Sequence, residues 1–197
     1  MYNTTRLVQG IGFKGNKYPV WEGDRQTKEY ETWKNMLSRC TEELWFRNPS
    51  YSGCTPSNNF RHYTFFYEWC QTQVGFGVEG FNLDKDILVK GNKVYSEDFC
   101  VFIPQRLNKI IVGNNVNRGD YPLGVSLDKE RKKYKAQCKI GNKLSKFIGR
   151  YSTVDEAFLA YKTFKEAYIK QEVEQYKHQL DPRAYQALLN YTVEITD

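Results

Sequence analysis

The chain has no long hydrophobic run, and this absence excludes a predicted membrane-spanning helix. Its 197 residues have a low mean hydropathy of −0.70, although 16% of them are aromatic. That composition is typical of a soluble globular protein. Residues 1–6 contain no basic segment followed by an apolar run, so neither a secretory signal nor a membrane anchor is predicted. The expected location is therefore the cytoplasm.

Closely spaced cysteine pairs are also missing. The five cysteines are Cys40, Cys54, Cys70, Cys100 and Cys138. An odd number of thiols without any CxxC pair excludes a complete disulfide framework. Reduced, buried thiols are the favoured interpretation. A zinc site built from the first four is the alternative, although structural zinc usually takes its ligands in pairs from short knuckles.

Histidine is nearly absent, which limits the side chains that could act as a base near neutral pH. The chain contains only His62 and His178. His62 lies in an aromatic-rich helical pattern, where a lone histidine is more often a surface residue than a ligand. His178 lies in a charged segment and supports no functional expectation.

Positive charge is abundant and unevenly distributed. The whole chain carries a net charge of +6, whereas residues 118–170 contain 13 lysines or arginines against 6 acidic residues, a net charge of +7. The rest of the chain therefore sums to −1. Such a concentration favours a polyanionic partner, with a merely solvated basic face as the alternative.

The first part of the chain predicts helices followed by a ββα unit. Apolar residues recur at helical spacing in 29–40 and again in 60–70. Residues 81–88 and 99–103 predict two strands around a turn, and a helix is expected after Pro104. Residues 1–112 are therefore the first predicted domain, residues 113–120 a polar linker and residues 121–197 a second domain.

The second domain predicts a three-stranded antiparallel sheet packed on one helix. The predicted strands cover residues 123–127, 134–140 and 146–151. Thr153 and Glu156 form a capping box that opens the helix. Its predicted buried stripe, in which small alanines would let the helix lie close to the sheet, comprises Ala157, Ala160, Tyr161, Phe164, Ala167 and Tyr168. The predicted fold class of the whole chain is α+β.

Four short motifs occur in order along this second domain. They are Gly124-Val125-Ser126, Tyr134-Lys135-Ala136, Ile148-Gly149-Arg150-Tyr151 and Thr153-Val154-Asp155-Glu156-Ala157. In this order and spacing the domain resembles the ethylene-response-factor type of DNA-binding domain over about fifty residues. The resemblance implies that the sheet enters the major groove of double-stranded DNA. The predicted DNA contacts are Arg131, Lys132, Lys133, Lys135, Lys139, Lys143, Lys146 and Arg150.

A physical argument for DNA binding stands beside the resemblance. Outward basic residues on a twisted antiparallel sheet form a surface that can approach phosphates along a groove. Lysine dominates here and tryptophan is absent from this half of the chain. Because lysine lacks the planar fork with which arginine reads guanine, weakly selective binding is expected.

The first domain contains a second set of motifs. They are Trp33-Lys34-Asn35-Met36-Leu37-Ser38-Arg39-Cys40, Phe66-Tyr67-Glu68-Trp69-Cys70, Leu83-Asp84-Lys85-Asp86-Ile87-Leu88, Gly91-Asn92-Lys93-Val94-Tyr95-Ser96 and Cys100-Val101-Phe102-Ile103-Pro104. Over residues 20–112 the chain is similar to the HNH-type endonucleases of tailed phages. Many of those proteins join such a module to a C-terminal domain of the kind just described.

The HNH resemblance implies a ββα metal site for phosphodiester cleavage. In that chemistry a divalent metal lies beside the scissile phosphate and a histidine activates water. By position, Asp84, Asp86 and Asn108 are the predicted ligands of Mg²⁺ or Mn²⁺, Asn92 occupies the turn, and Lys85 would steady the phosphate charge. The usual histidine is missing from the hairpin. The alternative is that the Leu-Asp-Lys-Asp segment is an ordinary solvent-facing strand.

Three functions follow from these observations. The leading hypothesis is a phage-type, metal-dependent DNA endonuclease acting in the cytoplasm of an infected cell. The second is a DNA-binding protein without catalysis, which acts by occupancy as a repressor or as an inhibitor of a host nucleic-acid machine. The third is an adaptor whose aromatic N-terminal half binds another protein. A homodimer is a further candidate assembly, and no membrane partner is expected.

Overall fold

The computed structural model of the protein describes residues 7–111, 120–141 and 144–196. The chain divides into two compact units, Met1–Ile103 and Pro104–Asp197. All but the last residue of the predicted linker lie outside the described residues. No helix in the described ranges combines the length and the apolar character needed to cross a membrane.

The first unit is built from short helices and very short strands. Its helices are α1 (Lys28–Ser38), α2 (Glu42–Arg47) and α3 (Tyr63–Gln71), with 3₁₀ turns at Pro49–Tyr51 and Asn59–Arg61. Its strands are β1 (Trp21–Glu22), β2 (Arg25–Gln26), β3 (Thr55–Pro56), β4 (Phe81–Asp84), β5 (Val94–Tyr95) and β6 (Val101–Pro104). β1 and β2 pair in antiparallel fashion, β3 pairs with β5 in parallel, and β4 pairs with β6.

An aromatic core joins α1 to α3 in this unit. Trp33 is fully buried, and its indole Nε1 donates to the Phe60 carbonyl at 2.8 Å. The Phe60 ring meets the Trp69 ring edge-on, with 4.8 Å between centroids. Such pairs contribute about 0.5–1.5 kcal/mol beyond the burial of their area. The aromatic residues of the two predicted helices are therefore core residues.

The predicted ββα order of β4, β6 and a following helix is present, with strands shorter than expected. The helix is α4 (Gln105–Ile111), and it packs on a helix of the second unit. The predicted first domain, residues 1–112, includes this helix. The division between the units therefore falls between Ile103 and Pro104, before α4 rather than after it.

The second unit confirms the predicted sheet and helix. It contains α4, the strands β7 (Val125–Asp128), β8 (Lys133–Lys139) and β9 (Ser145–Tyr151), and the helices α5 (Val154–Glu174) and α6 (Pro182–Leu189). The antiparallel sheet has the order β7-β8-β9, and α5 packs on it. The α+β assignment and the three-stranded sheet packed on one helix are thus correct.

The start of α5 follows directly from its sequence. Thr153 Oγ1 accepts from the Glu156 backbone N–H at 3.2 Å, and the Glu156 carboxylate accepts from the Thr153 backbone N–H at 3.1 Å. These reciprocal bonds satisfy amides that the first turn of a helix leaves free. The predicted capping box is confirmed.

The predicted buried stripe of α5 is only partly correct. Ala157 and Tyr161 are buried against the sheet, but Ala160 is half-buried and Ala167 is exposed. The charged residues Lys165 and Glu172 are buried instead. The sheet, α4 and α6 all cover this one helix, so its buried side includes polar positions that a purely apolar pattern does not predict.

Candidate functional site

The predicted catalytic residues of the first unit cluster in residues 84–92, here called the carboxylate loop. Asp84 ends β4 and is only 7% exposed. Its Oδ1 accepts hydrogen bonds from the backbone N–H groups of Asp86 and Ile87, both at 2.9 Å. This carboxylate therefore closes the turn that follows the strand.

Lys85 and Asp86 form an ion pair inside the loop. Lys85 is 6% exposed, and its Nζ donates to Asp86 Oδ2 at 3.1 Å. The same ammonium lies 5.9 Å from the centroid of the Tyr95 ring. The alternative of an ordinary solvent-facing strand is wrong for Asp84 and Lys85, because both side chains are buried.

Asn92 closes the other end of the carboxylate loop. Its Nδ2 donates to the Lys85 carbonyl at 2.6 Å and to the Val94 carbonyl at 2.8 Å, and its Oδ1 accepts from the Val94 backbone N–H at 3.0 Å. Every polar atom of this side chain is thus bonded to the backbone. Asn92 fixes the loop conformation that holds Lys85 and Asp86 in place.

Burial, together with the negative charge of Asp86, raises the pKa of Asp84 to about 6. The two backbone N–H bonds oppose this shift without cancelling it. A nearby negative charge and a buried position both disfavour the ionised form of a carboxyl group. The carboxyl group of Asp84 therefore loses its proton at about pH 6.

Two further residues of this cluster were missed in the sequence. Arg39 follows α1, and its guanidinium lies 5.5 Å from the centroid of the Tyr51 ring. Burial lowers the pKa of Arg39, but interactions with Tyr95, Tyr51 and Asp84 outweigh this and raise it overall. Burial also raises the pKa of Tyr95. The only sequence signal was a basic residue at the end of an amphipathic helix, a pattern that usually marks a solvated position.

The carboxylate loop does not fit a ready-made magnesium site. Mg²⁺ is often held by one or two carboxylates together with water. Here, however, Asp84 Oδ1 already accepts two backbone bonds, and the Lys85 ammonium lies against Asp86. Asn108 lies on α4 in the second unit and has interactions of its own. Within residues 7–111, 120–141 and 144–196, no group of three or more His, Cys, Asp or Glu side chains could hold a metal ion.

All five cysteines are free thiols, as the sequence favours. Four are buried and Cys40 is half-buried. Burial raises the pKa of Cys40 to about 12 and raises that of Cys54 as well. Raised thiol pKa values mean that these side chains stay protonated at neutral pH, as inert core residues do.

In the second unit, the face of the sheet opposite α5 is the candidate DNA-binding surface, here called the outer face. Along β8, the side chains of Ala136 and Cys138 are fully buried on the helix side. Because successive side chains of a strand point to opposite faces, the residues adjacent to them point to the outer face. Lys135 pairs in register with Ser126 on β7 and Arg150 on β9, which aligns three outer side chains across the sheet.

Arg150 is held in place on the outer face by two neighbours. Its Nε donates to Asp128 Oδ2 at 2.7 Å, and its guanidinium carbon lies 5.0 Å from the centroid of the Phe147 ring. Phe147 is 47% exposed. A cation stacked on an exposed aromatic ring forms a flat surface with one charged and one apolar part.

The predicted DNA contacts occupy different places in this unit. Lys133, Lys135, Lys139 and Arg150 lie on the outer face. Arg131 and Lys132 lie in the turn between β7 and β8, where Lys132 has a φ of 50°. Lys146 is exposed but pairs in register with Cys138, which places it toward the helix side. Lys143 lies outside the described residues.

Phe147 and Asp128 are outer-face residues that the sequence did not identify. Simple alternation along β9 predicted Phe147 to point inward. A β-bulge between Ala136 and Gln137 shifts the register of β9, so that Ile148 packs in the core and Phe147 does not. A bulge leaves no clear signal in a single sequence, because nothing in residue type alone marks which strand carries the extra residue.

Comparisons of the chain with protein-family models, with curated proteins and with solved structures found no match.

Proposed function

We propose that this protein binds double-stranded DNA through the outer face of its three-stranded sheet. The observation that supports this best is Arg150, which is oriented by Asp128, stacked on the exposed Phe147 and flanked by lysines. The oriented guanidinium reduces the conformational entropy that would be lost on binding.

The atoms that Arg150 leaves free suit a nucleic acid. Its Nε is taken by Asp128, while its two terminal nitrogens can donate as a pair to a phosphate or to the O6 and N7 of guanine. The lysines nearby are flexible point charges that neutralise phosphates without reading sequence. The proposed binding therefore combines one directional contact with several that are insensitive to sequence.

Salt dependence gives a quantitative expectation. If Lys133, Lys135, Lys139 and Arg150 neutralise about four phosphates, the logarithm of the affinity falls with the logarithm of salt concentration with a slope of about −3.6. A fourfold rise in salt then weakens binding on the order of a hundredfold. A surface that is basic but does not contact DNA would show no such steep dependence.

The test is a pair of matched double variants of the full chain. Lys135→Ala with Arg150→Ala removes two outer-face charges, whereas Lys14→Ala with Lys109→Ala removes two exposed charges elsewhere. In fluorescence anisotropy with a DNA duplex, the first pair should weaken binding at least ~10-fold and lower the salt slope by about 1.8. The second pair should change both values much less. Equal losses in the two pairs would reject the outer face as the binding surface.

A second candidate function is phosphodiester cleavage by the first unit. The observation in its favour is Asp84, placed beside Asp86 in the carboxylate loop, because its pKa of about 6 is close to that of an effective general base. Lys85 adjoins the pair and could offset negative charge on a phosphate. The DNA-binding sheet would then supply the substrate, in line with the resemblance of the first domain to HNH endonucleases.

Cleavage is tested on supercoiled DNA with Mg²⁺, with Mn²⁺ and with a chelator, scored for nicked and linear products. Asp86→Asn should abolish nicking and leave DNA affinity unchanged. Asp24→Asn, at an exposed position, should leave both nicking and DNA affinity unchanged. Band shifts without a strand break under every condition would reject cleavage and leave occupancy of DNA as the activity.

A further inference from the structure

An apolar groove of about 650 Å³ runs along α5, beside Tyr151 of β9. The residues that line it include Glu156, Leu159, Ala160, Thr163, Phe164 and Ala167. Leu159 is 62% exposed, which is unusual for a leucine on a helix with so much buried surface. Ala160 and Ala167 belong to the predicted buried stripe, but both line this groove.

The groove follows one straight stripe of the helix. Glu156, Ala160, Thr163 and Ala167 line the groove, and Lys170 continues their stripe beyond it. Their separations of four, three, four and three residues keep side chains on one side of a helix. Thr163 Oγ1 donates to the Leu159 carbonyl at 2.9 Å, so its hydroxyl is satisfied within the helix. The stripe is therefore small and apolar in the middle, with an acid at one end and a base at the other.

This stripe is complementary to itself when it is reversed. We propose that the groove is the interface with a second copy of this chain, with the two α5 helices antiparallel and the two-fold axis at Thr163. Glu156 of each copy then faces Lys170 of the other, and the exposed Leu159 faces the small Ala167. Such an arrangement is the isologous contact expected of a two-fold dimer.

The end charges are available for this pairing. Glu156 uses Oε2 to accept the Ser152 and Thr153 backbone N–H groups, which leaves Oε1 for a partner. Lys170 is exposed at the other end of the stripe. A parallel pairing would bring Glu156 against Glu156 and Lys170 against Lys170, so the charges select the antiparallel orientation.

The interface is small, and its affinity is correspondingly modest. Alanine and threonine in the centre let two helices approach to about 8 Å between axes. One helix face on each copy buries less area than a standard protein interface, which places the dimer Kd in the micromolar range, on the order of 1–100 μM. The dimer should therefore form in a concentration-dependent manner.

The dimer would have a consequence for DNA that rests on the proposed function. The outer face is the face of the sheet opposite α5, so pairing along α5 directs the two outer faces away from each other. Each dimer would then hold two separate DNA segments rather than two adjacent half-sites of one straight duplex. Self-association itself requires no DNA, and its test is independent of DNA binding.

The first test is cysteine cross-linking of the full chain under mild oxidation. The Thr163→Cys variant places one thiol of each copy at the proposed two-fold axis, where a disulfide can form. The Leu159→Cys variant is the matched control, because residue 159 of one copy faces residue 167 of the other and not its own equivalent. A cross-linked dimer with Thr163→Cys, in excess of the control and of the unmodified chain, is the expected result.

The second test uses charge. In sedimentation equilibrium, Lys170→Glu should raise the dimer Kd about tenfold, because it replaces two attractive end pairs with two repulsive ones. Adding Glu156→Gln, which keeps the capping box, should recover most of that loss. Equal cross-linking of both cysteine variants, or a mass of 23.2 kDa at every concentration up to about 1 mM, would overturn the proposal and assign the groove to a different partner.

Discussion

Asp128 on β7 holds Arg150 on β9 across the intervening strand, with 2.7 Å between Oδ2 and Nε. The hydrogen bond from Arg150 holds the pKa of Asp128 below its usual range. The negative charge of Asp128 therefore lies within a surface whose proposed partner is a polyanion. Any favourable contribution of Asp128 to the proposed DNA binding must come from orienting Arg150, since the charge of Asp128 alone would repel DNA.

Replacing Asp128 separates orientation from charge. Asp128→Asn removes a negative charge, and simple electrostatics would predict tighter DNA binding. We expect binding about 3- to 10-fold weaker, because Arg150 loses the partner that orients its guanidinium. The control is Glu130→Gln, which makes the same charge change in the adjacent turn, and it should tighten binding slightly. Anisotropy titrations at two salt concentrations measure the DNA affinity of both variants. Tighter binding by both would contradict the orienting role of Asp128.

The exposed ring of Phe147 should matter for binding and not for folding. Phe147→Ala removes the surface on which Arg150 stacks, and an expected fivefold to tenfold loss of DNA affinity follows from about 1 kcal/mol of cation–π and stacking energy. The melting temperature should change little, because the ring is half exposed. Leu144→Ala, at another exposed apolar position, should leave affinity unchanged. A large drop in melting temperature for Phe147→Ala would instead show a core role.

The buried carboxylate of Asp84 should make stability depend on pH. Because its folded-state pKa of about 6 lies above the ordinary 3.8, the folded protein binds this proton more tightly than the unfolded chain does. The contribution to the free energy of unfolding is therefore full below about pH 4 and is lost as the pH rises to about 6. Asp84→Asn can still accept the two backbone bonds without a charge. In urea unfolding, the free energy of unfolding of Asp84→Asn relative to that of the unmodified protein should rise by about 2 kcal/mol from pH 4.5 to pH 8. An equal difference at both pH values would show that Asp84 does not titrate in this range.

Much of the second unit could be predicted from the sequence, for identifiable reasons. Three alternating segments and a capping box at Thr153 are local signals, and each produced the expected element. The face assignments were less reliable, because they depend on what covers each element. The bulge that turns Phe147 outward and the burial of Glu172 on α5 arise from contacts between segments distant in sequence.

The first unit was harder to predict in its functional detail. The sequence indicated Asp84, Lys85 and Asp86 as a group, and the structure does bring them together. It could not indicate that Lys85 would be buried beside Tyr95, or that Arg39 would approach from α1. The approach of Arg39 depends on tertiary packing of segments more than forty residues apart, and the contact of Lys85 with Tyr95 depends on how the loop between them folds back; no local pattern encodes either.

An ion pair links α4 to α5. Arg106 donates to both carboxylate oxygens of Glu172, from Nε at 2.6 Å and from Nη2 at 2.8 Å, and Glu172 is buried. Arg106→Met would leave a buried, unpaired carboxylate and should cost about 2 kcal/mol near pH 7. The double variant Arg106→Met with Glu172→Met should cost less than the single one. A double-mutant cycle in urea unfolding measures this, and additive losses would show that the pair is not coupled.

Gly124 is the residue whose replacement should damage the second unit most. Its φ is +79°, and a Cβ there would lie 2.1 Å from the Tyr161 ring on α5. Gly124→Ala therefore combines left-handed backbone strain with a steric clash against a buried ring, and we expect a loss of about 3 kcal/mol or more. Gly141→Ala is the control, because the nearest atom to its added Cβ would be 3.9 Å away. Thermal unfolding should show a large decrease only for Gly124→Ala, with DNA binding lost in the unfolded fraction. If both variants melted at the same temperature as the unmodified protein, the close packing of β7 on α5 would not contribute to stability as described.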